Sequence, residues 1–159
     1  YGFQLIDLYT HNFAYIGTLS TGNNAGKFLI TEKGWSGEVP DGIDEVFTCE
    51  TDLFFVIVRV QLFNVEDVEN VKQLQESWGF MELSTYLGED APNQPQKIDF
   101  PVWNEGDQFT AAAFKYIDFL MNLTQVDPTE TELREKFKKL NIGTKGKWPG
   151  DTSNLCSPC

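Results

Sequence analysis

Apolar and polar residues alternate through the first fifty positions, and this period of two is that of a β-strand. Residues 2–9 (GFQLIDLY) follow the alternation, and a second strand is predicted over 13–20, after the polar triplet THN. A turn cluster, TGNNAG, separates these strands from KFLIT at 27–31 and IDEVFTCE at 43–50. We predict one strand in each of the four segments.

A nearly continuous apolar run follows at residues 52–62 (DLFFVIVRVQL). Such a β-branched run is typical of a strand that is buried on both faces, so we predict the central strand of the sheet here. Apolar residues then recur at three- and four-residue steps, which predicts a helix over 65–78 (VEDVENVKQLQESW). Residues 80–87 (FMELSTYL) are predicted to return as a strand.

Helical patterns dominate the last third of the chain, after a proline-containing segment at 88–101 that we predict to be a long loop. One helix is predicted over 106–123, with Asp107 as its N-cap. Another begins at DPTETE, where Pro128 suits the first turn and the Thr129–Glu132 spacing is that of a capping box.

This order of elements, strands first and helices afterwards, is typical of the α+β class. We therefore predict a mainly antiparallel β-sheet or sandwich that is followed by C-terminal helices. A single α+β domain is expected over 1–145, incomplete at its N-terminus, with a C-terminal tail over 146–159.

Composition narrows the range of functions. The 159 residues include 24 acidic and 12 basic side chains, for a net charge of -12, and 41% are hydrophobic. Enough apolar residues are present for a packed core, which argues against disorder. The acidic balance indicates solubility and disfavours nucleic acid and anionic membranes as partners. Because no apolar run approaches the roughly 20 residues of a membrane span, we expect no transmembrane segment.

Three cysteines, Cys49, Cys156 and Cys159, are too few for a disulfide scaffold. The terminal pair, in LCSPC, has C-x-x-C spacing, which suits a redox pair, half of a metal site or a local disulfide. A zinc site would need about two further ligands, and Cys49 and His11 would have to supply them. We expect no cofactor and treat Cys156 and Cys159 as weak metal candidates beside the simpler interpretation of a tail thiol pair.

Polar residues interrupt the first two strands in the sequence IDLYTHNFAYIG, residues 6–17. If this segment is a strand, Asp7 and His11 share a face, and the carboxylate could orient the imidazole as a general base. Alternatively, Asp7, Thr10 and Asn12 bond nearby backbone N–H groups and turn the chain between two strands. No serine or cysteine nucleophile can be assigned to the pair from sequence, so we favour the structural interpretation.

Two further residues are candidates for ligand binding. Arg59 interrupts an apolar strand, and a buried arginine needs an anion, either Asp7, Asp52 or a ligand carboxylate or phosphate. Trp35, in KGWSG, could stack on a sugar or close the edge of the core. Asn122 begins the glycosylation sequon NLT, but a predicted helix contains it, which disfavours its use.

A long block at residues 5–42, LIDLYTHNFAYIGTLSTGNNAGKFLITEKGWSGEVPDG, resembles the core block of the bacterial-type family called domain of unknown function 1254. Matching positions are Asp7, Tyr9, Thr10, Asn12, Phe13, Gly17, Thr21, Gly22, Gly26, Gly34, Trp35, Gly37, Pro40 and Gly42. The resemblance continues through Arg59, Asp67 and Gln75 and covers most of residues 3–145. His11 stands where this family leads us to expect asparagine, which weakens a catalytic role for the imidazole.

This resemblance implies little chemistry, because no reaction is assigned to the family. It implies further strands upstream of the block and a companion domain of the type called domain of unknown function 1214, both of which we expect to be absent here. Many members look exported, so the resemblance favours an extracytoplasmic or organellar-lumen location.

Two functional hypotheses follow from these observations. The first is a non-catalytic structural or interaction module, an accessory subunit of a larger assembly with protein partners. The alternative is an exported ligand-binding or hydrolytic domain whose site lies near Asp7, His11, Trp35 and Arg59. The second hypothesis predicts that these four side chains converge on one pocket, and the first predicts exposed apolar surface.

Overall fold

The computed structural model describes residues 1–90 and 97–144. The chain divides into two compact units, residues 1–96 and 97–159. The strands are β1 (Gly2–Asp7), β2 (Asn12–Gly17), β3 (Phe28–Glu32), β4 (Glu45–Cys49) and β5 (Phe54–Arg59). The helices are α1 (Val68–Glu76), α2 (Leu83–Leu87), α3 (Ala113–Asn122) and α4 (Thr131–Lys138), and short 3₁₀ turns precede α1, α3 and α4.

β1 is the central strand of a three-stranded antiparallel sheet with the order β2-β1-β5. A β-bulge interrupts the β1–β2 register between Leu5 and Ile6, so that Leu5 lies opposite Ala14 and Ile6 lies opposite Asn12. β3 and β4 form a separate parallel pair from Phe28↔Glu45 to Glu32↔Cys49. The prediction of an α+β fold is confirmed; the sandwich arrangement and the single domain over 1–145 stay predictions.

The core of the first unit lies mainly on one face of the antiparallel sheet. Leu5 and Ala14, which are directly opposite each other, are 1% and 5% exposed. The ring of Phe13 packs edge-on against that of Phe54, with 5.7 Å between the ring centroids. At the other end of β1, Phe3 packs against Trp78, a residue that follows α1, with 4.6 Å between the ring centroids. Aromatic side chains therefore close both ends of this face.

β5 is an edge strand, so the prediction of a central strand buried on both faces is wrong. Within it Phe55 is 45% exposed and Val58 is 41% exposed. The run was misassigned because the length and β-branching of a segment do not specify how many neighbours pair with it.

The predicted strand over 80–87 is also wrong, because this segment contains the short helix α2. Gly88 ends α2 with a left-handed φ of 69°. Glu89 N–H then donates to the carbonyl of Ser84 at 2.9 Å, and Gly88 N–H donates to that of Thr85 at 3.2 Å. This C-terminal closure satisfies helix carbonyls and favours a helical turn over the weak strand alternation.

Helix starts in the second unit differ in detail from the predictions. Asp107 does not cap a helix over 106–123, because Thr110 is extended (φ -127°, ψ 174°) and α3 begins only at Ala113. The helical segment after Asp127 is confirmed, with Pro128 in its first turn. Its cap is the Asp127 carboxylate, which accepts from Thr129 N–H at 2.8 Å, rather than the predicted Thr129–Glu132 capping box.

Two buried ionic side chains organise the second unit. Asp118, on α3, is 7% exposed and accepts from the backbone N–H of Gly143 at 2.7 Å. Arg134, on α4, is 8% exposed and donates to the hydroxyl of Thr124 at 2.9 Å. Each of these bonds links a helix to a chain segment outside it, which compensates for burying the charged group.

Candidate functional site

Asp7 is the last residue of β1, and its carboxylate holds the turn into β2. The side chain is buried, and its Oδ1 accepts from the backbone N–H of His11 at 2.8 Å. The Asp7 backbone donates to the carbonyl of His11 at 3.0 Å and accepts from Thr10 N–H at 3.1 Å. Thr10 has a φ of 68°, so the segment between Asp7 and His11 is a turn rather than a strand. The Asp7 part of the turn prediction is therefore confirmed, whereas the Asn12 side chain accepts from the Gln4 side chain rather than from a backbone N–H group.

His11 and Asp7 are neighbours, but their side chains differ greatly in exposure. His11 Nδ1 lies 3.6 Å from Asp7 Oδ2, a separation too long for a hydrogen bond. The imidazole is 72% exposed while the carboxylate is 2% exposed. The buried carboxylate is committed to a backbone N–H group, so it is poorly placed to orient the imidazole as a general base.

Thr51 connects this hairpin turn to the start of β5, a role that sequence reasoning missed. Its hydroxyl accepts from Leu8 N–H at 3.1 Å and donates to the carbonyl of Leu53 at 2.6 Å. Cys49 Sγ lies 3.7 Å from the same hydroxyl, and both residues are buried. The only sequence signal was a small polar residue between two apolar runs, which is common to many turns.

Arg59 lies at the opposite end of the sheet from this turn. The register pairs Asp7 with Phe54 but Gly2 with Arg59. Five residues of strand separate the two ends, which is about 17 Å. Arg59 is exposed, and its Nη1 donates to Gln4 Oε1 at 2.7 Å. The predicted buried pair between this arginine and an aspartate is wrong, and Asp7 and Arg59 are too far apart to bind one small ligand.

Trp35 lies in the loop that follows β3. It is half-buried, and its backbone N–H donates to the carbonyl of Glu32 at 3.2 Å. The indole packs against Gly37, where an added Cβ would lie 2.5 Å from Trp35 Cζ2. This contact favours the packing interpretation of Trp35 over sugar stacking, which stays a prediction.

A shallow, open depression of about 130 Å³ lies beside Arg59. This volume is well below the several hundred Å³ of typical small-molecule sites. Among its lining residues are Tyr1, Gln4, Tyr15, Leu19 and Arg59, so it occupies the Arg59 end of the sheet rather than the Asp7 end.

Polar side chains form a hydrogen-bonded row across the three strands of this sheet. Arg59 on β5 donates to Gln4 on β1, and Gln4 Nε2 donates to Asn12 Oδ1 on β2 at 2.6 Å. From the register, the same face also carries Tyr15, Phe55 and Ile57. We call this face, formed by Gln4, Asn12, Tyr15, Phe55, Ile57 and Arg59 around the buried Ile6, the open face.

The acidity of Asp107, in the turn before α3, is perturbed by its neighbours. Hydrogen bonds from the hydroxyl of Tyr116 and the side-chain amide of Asn104 lower the pKa of Asp107 below its ordinary value of 3.8. Lys115 Nζ, 4.0 Å away, adds to this effect, while desolvation opposes it. Asp107 thus anchors the turn before α3.

Residues 1–90 and 97–144 contain neither a metal cluster nor a membrane-spanning helix. No group of three or more His, Cys, Asp or Glu side chains in these ranges is arranged to hold a metal ion. Every helix in the same ranges is too short or too polar to cross a bilayer. The candidate pair Cys156 and Cys159 lies outside the described residues.

The geometry of the hairpin and sheet belongs to the part of the chain that matches a known family. A family model described as "Protein of unknown function (DUF1254)" matches residues 1–80. The chain belongs to the DUF1254 family. The match contains β1 to β5 and α1, and it confirms the family resemblance of the sequence block at 5–42. The resemblance of the C-terminal helices lies beyond the matched range and stays a prediction.

A similar fold occurs in a solved structure, that of the VPA0106 protein from Vibrio parahaemolyticus. The two chains are 20% identical and superpose with a TM-score of 0.67 over 89% of the present chain. This chain spans 34% of the length of that protein, so the likeness concerns the fold of one part of it. No curated protein matches this chain.

Proposed function

We propose that this DUF1254 chain is a non-catalytic structural or interaction module, an accessory subunit that presents the open face of its antiparallel sheet to a partner protein. The observation that carries the proposal is the exposure of large side chains on this face. Tyr15 is 50% exposed, Phe55 is 45% exposed and Ile57 is 36% exposed. The opposite face of the same strands carries the buried Leu5 and Ala14, while each face also has one exception: Ile6 is buried on the open face and Val58 is 41% exposed on the opposite one.

The residue types on the open face suit a protein partner. Tyrosine, phenylalanine and arginine are enriched where proteins meet, since they combine large contact area with hydrogen-bonding capacity. The row from Arg59 through Gln4 to Asn12 fixes three polar side chains before any partner binds. Preorganisation of this kind lowers the entropic cost of association.

Charge also distinguishes the open face from the rest of the chain. The net charge of the protein is -12, yet the face contains no acidic side chain and one arginine. A partner surface with apolar residues and a carboxylate opposite Arg59 would complement it. Nucleic acid would be repelled by the remainder of the molecule.

Site-specific photocrosslinking tests this proposal. A benzophenone amino acid replaces Tyr15 on the open face or, as the matched control, Phe80, an aromatic residue that is 75% exposed and lies outside the sheet. The labelled full chain is irradiated in extract from the organism that encodes it. We expect one discrete, saturable protein adduct from position 15 and none from position 80. No adduct from position 15, or equal labelling from both positions, would contradict the proposal.

A further inference from the structure

The hydrogen bonds at the β1–β2 turn reveal which backbone groups of β5 point away from the sheet. Asp7 N–H donates toward β2. Because the backbone groups of successive strand residues point to alternate sides, those of Phe3 and Leu5 also face β2, and those of Gly2, Gln4 and Ile6 face β5. From the register, the backbone groups of Phe55, Ile57 and Arg59 are the ones that bond to β1. The N–H and C=O groups of Phe54, Val56 and Val58 point outward, and within residues 1–90 and 97–144 no strand pairs with this edge.

The two edges of the sheet differ in how they are protected against pairing. β2 carries the bulge opposite Leu5 and begins with the exposed, polar Asn12. β5 has no bulge, proline, glycine or charge between Phe54 and Val58. Natural edge strands normally carry one of these features because a regular, uncharged edge is a template for a further strand.

We infer that the outer edge of β5 pairs with β5 of a second copy of this chain, in antiparallel orientation, to form a continuous six-stranded sheet. The inference goes beyond the proposed interaction function, because it concerns the edge of β5 rather than the open face.

The β5 sequence is complementary to itself in this orientation. A two-fold axis at Val56 makes Val56 its own partner and places Phe54 opposite Val58 of the second copy. Phe55 then lies opposite Ile57 on the open face. Each aromatic ring thus meets a β-branched side chain, which is a favourable cross-strand pair. All outward backbone groups of Phe54, Val56 and Val58 find partners, and no like charges meet between these positions.

The remainder of the molecule opposes this pairing electrostatically. Each copy carries a net charge of -12, so the two copies repel each other at low ionic strength. Salt screens this repulsion but does not weaken backbone hydrogen bonds between uncharged residues. Association through β5 is therefore expected to strengthen as salt is added, whereas association through ion pairs would weaken.

Sedimentation equilibrium of the full chain, from about 1 µM to about 1 mM, tests the inference. We expect a monomer–dimer equilibrium whose dissociation constant decreases as the salt concentration is raised from about 0.05 M to about 0.5 M. Val58→Pro removes an outward N–H group without touching the β1 ladder, and it is expected to raise the constant at least about tenfold, since symmetry removes two interchain bonds. The matched control, Val58→Thr, keeps the N–H group and should change it less than about threefold.

Circular dichroism checks that the Val58→Pro chain is folded, and Val58→Lys provides a second test because it keeps the N–H group but charges the edge. A monomer at all concentrations, species larger than a dimer, or a dimer insensitive to Val58→Pro and Val58→Lys would overturn the inference. The photocrosslinking result distinguishes the two proposals: an adduct with a different protein at position 15 supports the interaction function even if the chain sediments as a monomer.

Discussion

Asp7 is the residue at which a catalytic and a structural interpretation make opposite predictions. A carboxylate beside the chain's one histidine suggests acid–base chemistry, but this carboxylate is buried and bonded to the backbone of the turn. A buried acceptor that satisfies a backbone donor stabilises the fold whatever the imidazole does. The free energies of unfolding of variants at Asp7 and His11 therefore distinguish the two interpretations.

Replacing Asp7 by alanine is expected to lower the free energy of unfolding by about 1–3 kcal/mol, because the His11 N–H group loses its acceptor. Asp7→Asn keeps an acceptor oxygen at the same position and should cost less. His11→Ala should change stability by no more than about 0.5 kcal/mol, since the imidazole is exposed. Urea denaturation followed by tryptophan fluorescence measures all three variants. A His11→Ala cost as large as that of Asp7→Ala would contradict the structural role.

Thr51 offers a second test at the scale of one hydroxyl. Thr51→Val keeps the shape of the side chain but leaves Leu8 N–H without its acceptor, so we expect a loss of about 1–3 kcal/mol. Thr51→Ser retains the hydroxyl and serves as the control, with an expected loss below about 1 kcal/mol. Thermal unfolding gives the comparison, and equal losses for the two variants would show that packing rather than the hydrogen bond holds this corner.

At the scale of elements, local signals in the sequence predicted most positions but not the neighbours of each element. β3, β4 and the helical segments after Asn64 and Asp127 lie where alternation, period and capping residues placed them. β5 was predicted to be central because its apolar run is a property of the segment, whereas its place at an edge depends on which strands pair with it. Thr51 was missed for the same reason. One of its hydrogen-bond partners, Leu8, lies 43 residues away in the chain, and the other, Leu53, lies across a turn.

The end of β2 depends on a glycine that no other residue replaces without strain. Gly17 has a φ of 132°, and an added Cβ would lie 2.4 Å from the carbonyl oxygen of Tyr1. Gly17→Ala should therefore cost about 3 kcal/mol or more. Gly22 has a φ of 87° but open space around it, so Gly22→Ala should cost only about 1 kcal/mol. Chemical denaturation measures both, and similar costs would mean that the clash at Gly17 is relieved by a backbone shift.

The turn before α3 is expected to be sensitive to acid. Because the pKa of Asp107 is lower in the folded chain than its ordinary value of 3.8, its stabilising contribution is present above that value and is lost as the pH falls through the lowered one. Tyr116→Phe removes the largest cause of the shift, so the pKa of Asp107 should rise and the loss should occur at higher pH. Carboxyl NMR and the fluorescence of Trp103, whose ring lies 4.7 Å from that of Tyr116, report the change. An unchanged titration in Tyr116→Phe would contradict this assignment.

For the whole molecule, the sequence predicted the family and the α+β class, while the arrangement of candidate site residues required the structure. Asp7 and His11 are adjacent because the chain turns between them, not because they share a strand face, and the register places Arg59 at the far end of β1. Pairing register depends on the whole sheet, so residues that are all polar and all near strands need not converge. The open face could not be predicted from the sequence, because the apolar residues of β5 were expected to be buried on both sides of a central strand.

The central claim is that the open face, rather than the Asp7–His11 pair, carries the function of this chain. Photocrosslinking from position 15 tests it most directly when it is repeated in Ile57→Lys and His11→Ala backgrounds. The account predicts that Ile57→Lys, which charges the face, abolishes the adduct, while His11→Ala leaves its yield unchanged. Loss of the adduct in His11→Ala with full retention in Ile57→Lys would contradict the account.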